Sequence, residues 1–404
     1  MYNITKTVLI VTTTLLIVLG LSMLYSTSYY IWDEQLLLRQ LMWVTLGTVC
    51  AVALTFFHYQ QISRHSYLLL IAVSLPLAYL ALANWLHHLD GPYAAVAGHL
   101  PFVGGLSKGS ARWIKIWKLS GQPSEFAKSG IIVFMGPSYS PNVRHLPLFW
   151  QGFPQPCGIV GLVILLILLG GDLSTAAITG SVVACILFIA GVRLRFLALA
   201  TVLAGAVLTG AIYTNPERIS RITSYRNPEK VQRSSGYQLW HSQLALGSGG
   251  TIGRGFTESR MKHRYLPEAH TDFIVAIIGE ELGFIGVLLL LMLYMTLMGC
   301  AFWIGCVADT LEGTLICAGI GLSLGLHAFL NISVVSGFCP TTGISVPFIS
   351  YGGSNMLASL IEVGLLYSVI VQKEKAFLAN VEDVPLQASS DPVSANRLHQ
   401  RAQA

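Results

Sequence analysis

Residues 266–283 read LPEAHTDFIVAIIGEELG. The first half is polar and carries Glu268, His270 and Asp272. The second half is apolar and runs through Glu280 and Glu281 into FIGVLLLLMLYMTLMG. Carboxylates and an imidazole therefore stand where a loop enters a membrane helix. An acid at the centre of such a helix costs roughly 2.5–3.5 kcal/mol on insertion scales, so acids kept there mark function. Two readings are open. In the first, Thr271 or Asp272 is an N-cap and the acids complement the positive helix end. In the second, Asp272 is a catalytic base. The capping reading weighs more for Glu280 and Glu281 than for Asp272.

The rest of the chain supports a membrane setting. Of 404 residues, 53% are hydrophobic and 11% charged, and the mean hydropathy is +0.64. A soluble domain needs far more charge to cover its surface. Many windows of about 18 apolar residues predict an all-α polytopic membrane protein. The first, Val8 to Leu24, has the apolar character of a signal peptide but lacks an A-x-A site, so it reads as helix one. The cysteines at 50, 157, 185, 300, 306, 317 and 339 lie mostly inside apolar runs without ligand spacing. They read as small core residues rather than as a disulfide framework or a zinc site.

Ten spans are expected near 8–25, 37–57, 67–85, 123–137, 156–170, 175–192, 196–213, 271–299, 313–332 and 354–371. Arg64, Arg144, Arg193, Arg195, Lys373 and Lys375 fall in short loops or ends on one side. The opposite short loops carry Asp33 and Glu34 and no base, which predicts cytoplasmic termini. Two long loops run against that trend. Residues 87–122 hold Lys108, Arg112, Lys115 and Lys118; residues 215–270 hold Arg218, Arg221 and seven further bases. Basic residues kept outside, where insertion disfavours them, suggest an anionic partner, against simple solvation of a large loop. Within the second loop, YQLWHSQLALG (237–247) predicts an amphipathic helix at the interface. GSGGTIGRG (247–255) is either a backbone cradle for phosphate or a flexible connector. No GKS/T follows it, so it is not a Walker loop. No repeat relates the two halves, which weakens a secondary-transporter reading. The tail from Ala376 to Ala404 is polar, with little apolar content, and is expected to be a disordered cytoplasmic extension.

Four segments are expected to converge on the outer face. GSARWI (109–114) with QPSEFAK (122–128) offers Arg112 beside Trp113, a cation next to an amphipathic ring, and Glu125 with Lys128 at i,i+3 spacing. That last pair is either an ion pair holding the helix end or part of the site. Asp172 in GGDLSTA is an acid in a short turn that can cap span six. The basic loop leads into Asp272. Last, CPTTGISVPFISYGGS (339–354), with Ser350 and Tyr351, breaks the apolar pattern with Pro and Gly, and is expected to form a re-entrant wall rather than a mere connection.

Together LPEAHTDFIVAIIGEELG, PTTGISVPFISYGGS, GSARWI…QPSEFAK and RITSYRNPEK…GYQLWHSQLALGSGG resemble the signature stretches of the SEDS family (shape, elongation, division, sporulation), in the same order across nearly the whole chain, 1–375. The YLPEAHTDF and PTTG-S versions look more like the division branch than the elongation branch. The resemblance implies ten spans in the inner membrane, cytoplasmic ends, and a peptidoglycan glycosyltransferase that polymerises lipid II outside. It also implies a class B penicillin-binding protein and other divisome membrane proteins as partners; no nucleic acid is expected. Asp272 falls on the family's essential aspartate in HTDF. The turn usually written with Pro-Asp and Gly-Thr is Gly171-Asp172 and Ser174-Thr175 here, and Asn355 replaces the small residue usual after YGGS.

The chemistry asks for a base on the acceptor hydroxyl and charge neutralisation on the departing pyrophosphate. Low-dielectric surroundings raise a carboxyl pKa toward a useful range, so Asp272 is the expected base, oriented by Glu268 and His270. Arg112, Arg218 and Arg221 are expected pyrophosphate ligands, with room for a divalent cation, Mg or Mn. Trp113, Glu125, Lys128, Ser350 and Tyr351 complete the expected binding set. A lipid II flippase and a non-catalytic scaffold are the rivals. A flippase wants polar groups along the whole membrane depth, whereas here they gather on one face.

Overall fold

Each long apolar run folds as a helix because hydrocarbon leaves backbone groups no partner but the helix itself. The computed structural model describes residues 2–31, 34–87, 89, 100–104, 111–117, 119–139, 154–226, 228–231, 234, 236–263 and 265–382. In chain order these give α1 (Tyr2–Ile31), α2 (Glu34–Phe56), α3 (Tyr59–Arg64), α4 (Ser66–His87), β1 (Ile114–Ile116), β2 (Leu119–Gly121), α5 (Pro123–Tyr139), α6 (Pro154–Leu169), α7 (Leu173–Ile189), α8 (Leu194–Tyr213), α9 (Pro216–Arg226), α10 (Tyr237–Gly249), α11 (Ile274–Val307), α12 (Leu311–Ser336) and α13 (Gly353–Glu382). The protein is an all-α, multi-pass membrane protein, with one small β-hairpin among the described residues.

A helix lies at each of the ten expected positions. Seven (α1, α2, α4, α8, α11, α12 and α13) are long and apolar enough to cross a membrane, while α5, α6 and α7 are shorter. Two boundaries differ from the sequence reading. The helix expected from 271 begins at Ile274, because the Glu268 carbonyl accepts from the amides of Thr271 and Phe273 and closes a turn first. At the other end, α13 continues to Glu382, past the expected start of the tail at Ala376. Residues 383–404 lie outside the described residues, as do Asp33, Lys108, Lys118, Arg144, Arg233 and Arg264 of the charge tally.

The core is centred on α5, α11, α12 and α13, with Phe134, Ile277, Ile320 and Leu366 fully or almost fully buried. Helix α2 is sealed against α13 at two notches. A Cβ on Gly47 would stand 2.5 Å from Leu360 Cδ1, and one on Gly364 would stand 2.7 Å from Ala51 Cα. Helix α8 is the opposite case: none of its residues is buried. With α4 and α6 it borders a cavity of about 740 Å³, whose walls include Trp85, Leu165, Leu169 and Val207 and whose polar end is Asn215 and Arg218.

Candidate active site

The irregular segment 337–352 is the piece on which the other three expected segments meet. It is not a loop over the surface: Val346, Phe348, Ile349 and Ser350 are buried. Its backbone polar groups are met by protein, as irregular chain at membrane depth requires. Gln40 on α2 donates to Ser350 O (3.3 Å) and accepts from Gly352 N (3.3 Å), and Tyr294 on α11 donates to Pro347 O. Ser350 Oγ accepts from Val346 N at 2.8 Å and donates to Thr271 O at 2.7 Å. This is the re-entrant wall that the Pro/Gly pattern led us to expect.

Asp272 sits against that wall. Tyr351 N donates to His270 O (2.9 Å), and the His270 and Tyr351 rings lie 6.0 Å apart. Asn331 on α12 donates through Nδ2 to both Asp272 O (2.8 Å) and Ile344 O (2.6 Å), tying the turn to the wall. A Cβ on Gly343, where φ is +72°, would stand 3.3 Å from Asp272 Oδ2, so the wall gives the carboxylate room at its glycine. Asp272 is half-buried, as are Glu268 and His270. Glu268 has φ of +57° and accepts from Thr271 Oγ1 through its own carboxylate (3.1 Å). The capping reading of Thr271 and Asp272 does not survive: the N-cap of α11 is Phe273, without a side-chain cap bond.

Asp172 is the N-cap of α7, accepting from Thr175 N (3.3 Å), and it does more. Its Oδ2 accepts from Gln122 Nε2 (2.7 Å) and Ser124 Oγ (2.9 Å), joining α7 to the start of α5. Gln122 N in turn donates to Ser354 Oγ (2.8 Å), and Ser174 Oγ donates to Thr342 O (2.8 Å), next to Gly343. The Asp172 and Asp272 turns thus touch adjacent residues of the wall, Thr342 and Gly343.

The arginines converge here too. Arg218 donates to Ala211 O (2.6 Å) and Gly171 O (3.4 Å), and lies within electrostatic reach of Arg112, Arg221 and Asp172. Burial, then the neighbouring Arg112 and Arg221, push the Arg218 guanidinium below its usual range, while Asp172 opposes the shift. Three arginines gathered around one buried acid through Arg218 make a site with unspent positive charge. The Nε of Arg112 is buried without a partner, and Trp113 packs against Gly104. Tyr225, on the same helix as Arg218 and Arg221, donates to Phe338 O (2.7 Å) and fastens that helix to the wall.

Glu125 and Lys128 stand apart from this open site. Their ion pair, at 3.0 Å, is shut inside the bundle with the residues 6% and 1% exposed. Beside it Ser129 donates to Glu362 (2.7 Å), a second buried acid that the sequence reading passed over. Its signal was present as an acid inside an apolar span, SLIEVGLL. Among the described residues no three His, Cys, Asp or Glu side chains come together as a metal site.

The largest departure from the sequence reading lies in the loop before Asp272. Glu280 and Glu281 are inside α11 and buried at 0% and 1% exposure; neither is a cap. Glu280 accepts from Arg254 (3.3 Å), Arg260 N (3.0 Å), Met261 N (3.2 Å) and the Ser259 hydroxyl. Glu281 accepts from Ser26 on α1 (2.6 Å), Lys262 Nζ (2.7 Å), Thr257 N (3.0 Å) and Ser259 N (3.4 Å). Two carboxylates thereby hold the loop that leads into Asp272 by its main chain. The Gly-rich run is neither cradle nor connector. Its amides are spent on α11, Arg254 N on Glu280 O (3.0 Å) and Gly255 N on Glu281 O (3.1 Å). Gly253 meets the kink of α11 at Gly283 backbone to backbone: a Cβ on Gly253 would stand 2.1 Å from Glu281 O. The interfacial helix also changes place. Helix α10 docks into the bundle, with Leu239, Ser242 and Ala245 buried and Ser242 donating to Val335 O (3.1 Å).

A family model described as a cell cycle protein, FTSW_RODA_SPOVE, matches residues 6–375. The chain belongs to this family. It is 37% identical to the probable peptidoglycan glycosyltransferase FtsW of Geobacter sp. (strain M18) over 270 residues, 67% of this chain and 74% of that one. It is 34% identical to stage V sporulation protein E of Bacillus subtilis (strain 168), covering 89% of this chain and 95% of that one. With the probable FtsW of Coxiella burnetii (strain RSA 493 / Nine Mile phase I) the identity is 34%, over 91% of this chain and 96% of the relative. Among solved structures, a chain of a peptidoglycan synthase complex, described as coordinating polymerization and crosslinking, superposes with a TM-score of 0.72 at 25% identity, over 90% of this chain and 97% of that one. The rod shape determining protein RodA of Thermus thermophilus shares the fold, with a TM-score of 0.65 at 24% identity over 90% of this chain and 96% of that one.

Proposed function

We propose that this FTSW_RODA_SPOVE-family chain is a peptidoglycan glycosyltransferase of the cell-division kind. It polymerises lipid II into glycan strands on the outer face of the cytoplasmic membrane during septal wall synthesis. The observation that carries the reading is the approach of the Asp272 carboxylate to Gly343 and of the Asp172 turn, through Ser174, to the adjoining Thr342, with an arginine cluster beside Asp172. In this reading Asp272 takes the proton from the acceptor 4-hydroxyl. As the new glycosidic bond forms at the donor's anomeric carbon, the bond to the pyrophosphate oxygen breaks. Attack in one step on an α-linked donor inverts that carbon and leaves a β-linked strand. Arg218, Arg221 and Arg112 take the growing negative charge on the pyrophosphate. A divalent cation, Mg or Mn, then belongs to the substrate's pyrophosphate rather than to a cage built by the protein. The cavity beside α8, mostly apolar with its polar end at Asn215 and Arg218, is a fitting berth for the prenyl chain attached to that pyrophosphate. Glu268, His270 and Asn331 hold the base in register.

The purified chain supplied with labelled lipid II is expected to make glycan ladders. Movement of lipid II across vesicles with no glycan formed would instead favour a flippase. If the arginines bind pyrophosphate, Arg218→Ala and Arg221→Ala should each raise the KM for lipid II roughly tenfold or more, the size of a lost charge-assisted hydrogen bond. Activity should also become more sensitive to salt. Arg218→Lys, which keeps the charge, should lose less; equal KM values in all three variants would return these residues to simple solvation.

The outer placement of the site follows from the basic short loops and is tested by labelling. A peptide tag inserted after Val231 should be reached by impermeant reagents from outside the cell, and one after Lys375 should not. Labelling of the first tag from the cytoplasm alone would invert the orientation. A class B penicillin-binding protein, which cross-links the strands as they form, is the proposed partner, together with other membrane proteins of the division machinery.

A further inference from the structure

Two bulky aromatic residues stand exposed in backbone conformations that side chains avoid. Trp117 is 94% exposed with φ of +60°, and Phe102 is 60% exposed with φ of +65°. Trp117 follows Ile116 in the two-residue turn of the β1–β2 hairpin, where Ile116 pairs with Leu119. Such turns need positive φ, and glycine or asparagine is the usual occupant. A tryptophan there gives up local stability, which points to a role outside the fold.

The hairpin has a third member. Val103 bridges Ile114, Gly104 N donates to Trp113 O (2.8 Å), and Lys115 N donates to Phe102 O (2.8 Å). This register sets Phe102 opposite Lys115, two residues before Trp117, so both exposed aromatics lie toward the turn end of the platform. The depth of that end is fixed by α4. Leu100, Val103, Ala111 and Ile114 pack on Leu80 and Ala83, and Tyr79 donates to Pro101 O. Tyr79 is well before the end of α4 at His87, about 12 Å down the axis at 1.5 Å per residue. The aromatic end of the hairpin therefore reaches back along the shaft of a membrane-spanning helix. On that same helix Leu75 and Leu82 are exposed at 67% and 49% and face the hydrocarbon side of the bundle.

We infer that the β1–β2 hairpin is a membrane anchor, its tip residues Trp117 and Phe102 seated in the headgroup–acyl boundary of the bilayer next to α4. Tryptophan suits this boundary because its ring is apolar and its indole N–H meets water or headgroups. Lys115, exposed on β1 two residues before Trp117, supplies a cation for lipid phosphate. The same platform carries Arg112 and Trp113 at its other side and runs through Gly121 into Gln122, which donates to Asp172. The anchor therefore sets the height of the arginine site relative to the lipid phosphates.

The test compares the full chain with Trp117→Phe in vesicles, reading the difference in tryptophan emission. Vesicles made with dibrominated phosphatidylcholine, which quenches from within the acyl region, are set against iodide added to the water. If the tip is seated in lipid, the emission lost on removing Trp117 is quenched more by the brominated lipid than by iodide. It also lies toward the blue. Emission quenched equally by both, or more by iodide, overturns the anchor and leaves the tip facing water. A Trp117 contribution insensitive to both overturns it as well, because the ring is then covered by protein.

Discussion

Asp272→Asn is expected to lower glycan polymerisation by at least the roughly 10²–10⁴-fold that follows loss of a general base. The substitution keeps size and hydrogen-bonding shape but removes the charge and the ability to take a proton. The loss should appear in kcat with little change in KM, because the arginine cluster that binds the pyrophosphate is a separate group of residues. Folding should be close to normal: the Asp272 main-chain carbonyl receives Asn331, and the N-cap residue of α11 is Phe273. The competing reading gives the opposite result. Asparagine is among the best N-caps, so a purely capping Asp272 would leave activity almost unchanged. A correctly inserted Asp272→Asn protein that polymerises at the parent rate would falsify the mechanism.

Glu281→Ala should damage the fold itself rather than the chemistry. It leaves Lys262 Nζ, 0% exposed in its side chain, without its carboxylate, and strips acceptors from Thr257 N, Ser259 N and Ser26 Oγ. Removing one partner of a buried pair costs about 3–5 kcal/mol, because the remaining charge stays buried and uncompensated. Thermal unfolding in detergent should shift down by many degrees, and activity should fall with the amount of folded protein. Glu281→Gln keeps acceptors for the amides and should fall between the two. In the double variant with Lys262→Met, neither charge of this pair is left buried, so part of the loss from Glu281→Gln should return. A Glu281→Ala protein that unfolds at the parent temperature would show that the loop is held by something else.

What could be read from the chain beforehand divides along a physical line. The helices were legible because a continuous apolar run in lipid has one solution. The wall at 337–352 was legible because Pro and Gly interrupt such a run, and the turn at Asp272 because polar residues crowd a helix entrance. The partners of Glu280 and Glu281 were not. An acid in an apolar helix announces that something must compensate it, yet not which atoms do so, and here most are main-chain amides that every residue carries. The Gly-rich run failed for a related reason. Glycine announces close approach, but the approaching group proved to be the kink at Gly283 rather than a phosphate. Glu125 and Lys128 were paired correctly from their spacing, while their depth depended on how α12 and α13 close over α5.

The order in which the chain is made gives the notches between α2 and α13 a further meaning. Gln40 and Gly352, joined by a hydrogen bond, are 312 positions apart. At about 5–20 residues per second, the ribosome needs about 15–60 s to deliver the second after the first. Throughout that interval α2 must stay in the lipid with its glycine notch open, because the helix that fills it has not been made. A chain that stops before Gly353 therefore never completes its bundle, and its early helices keep an unfilled groove that any passing helix with a suitable ridge can occupy.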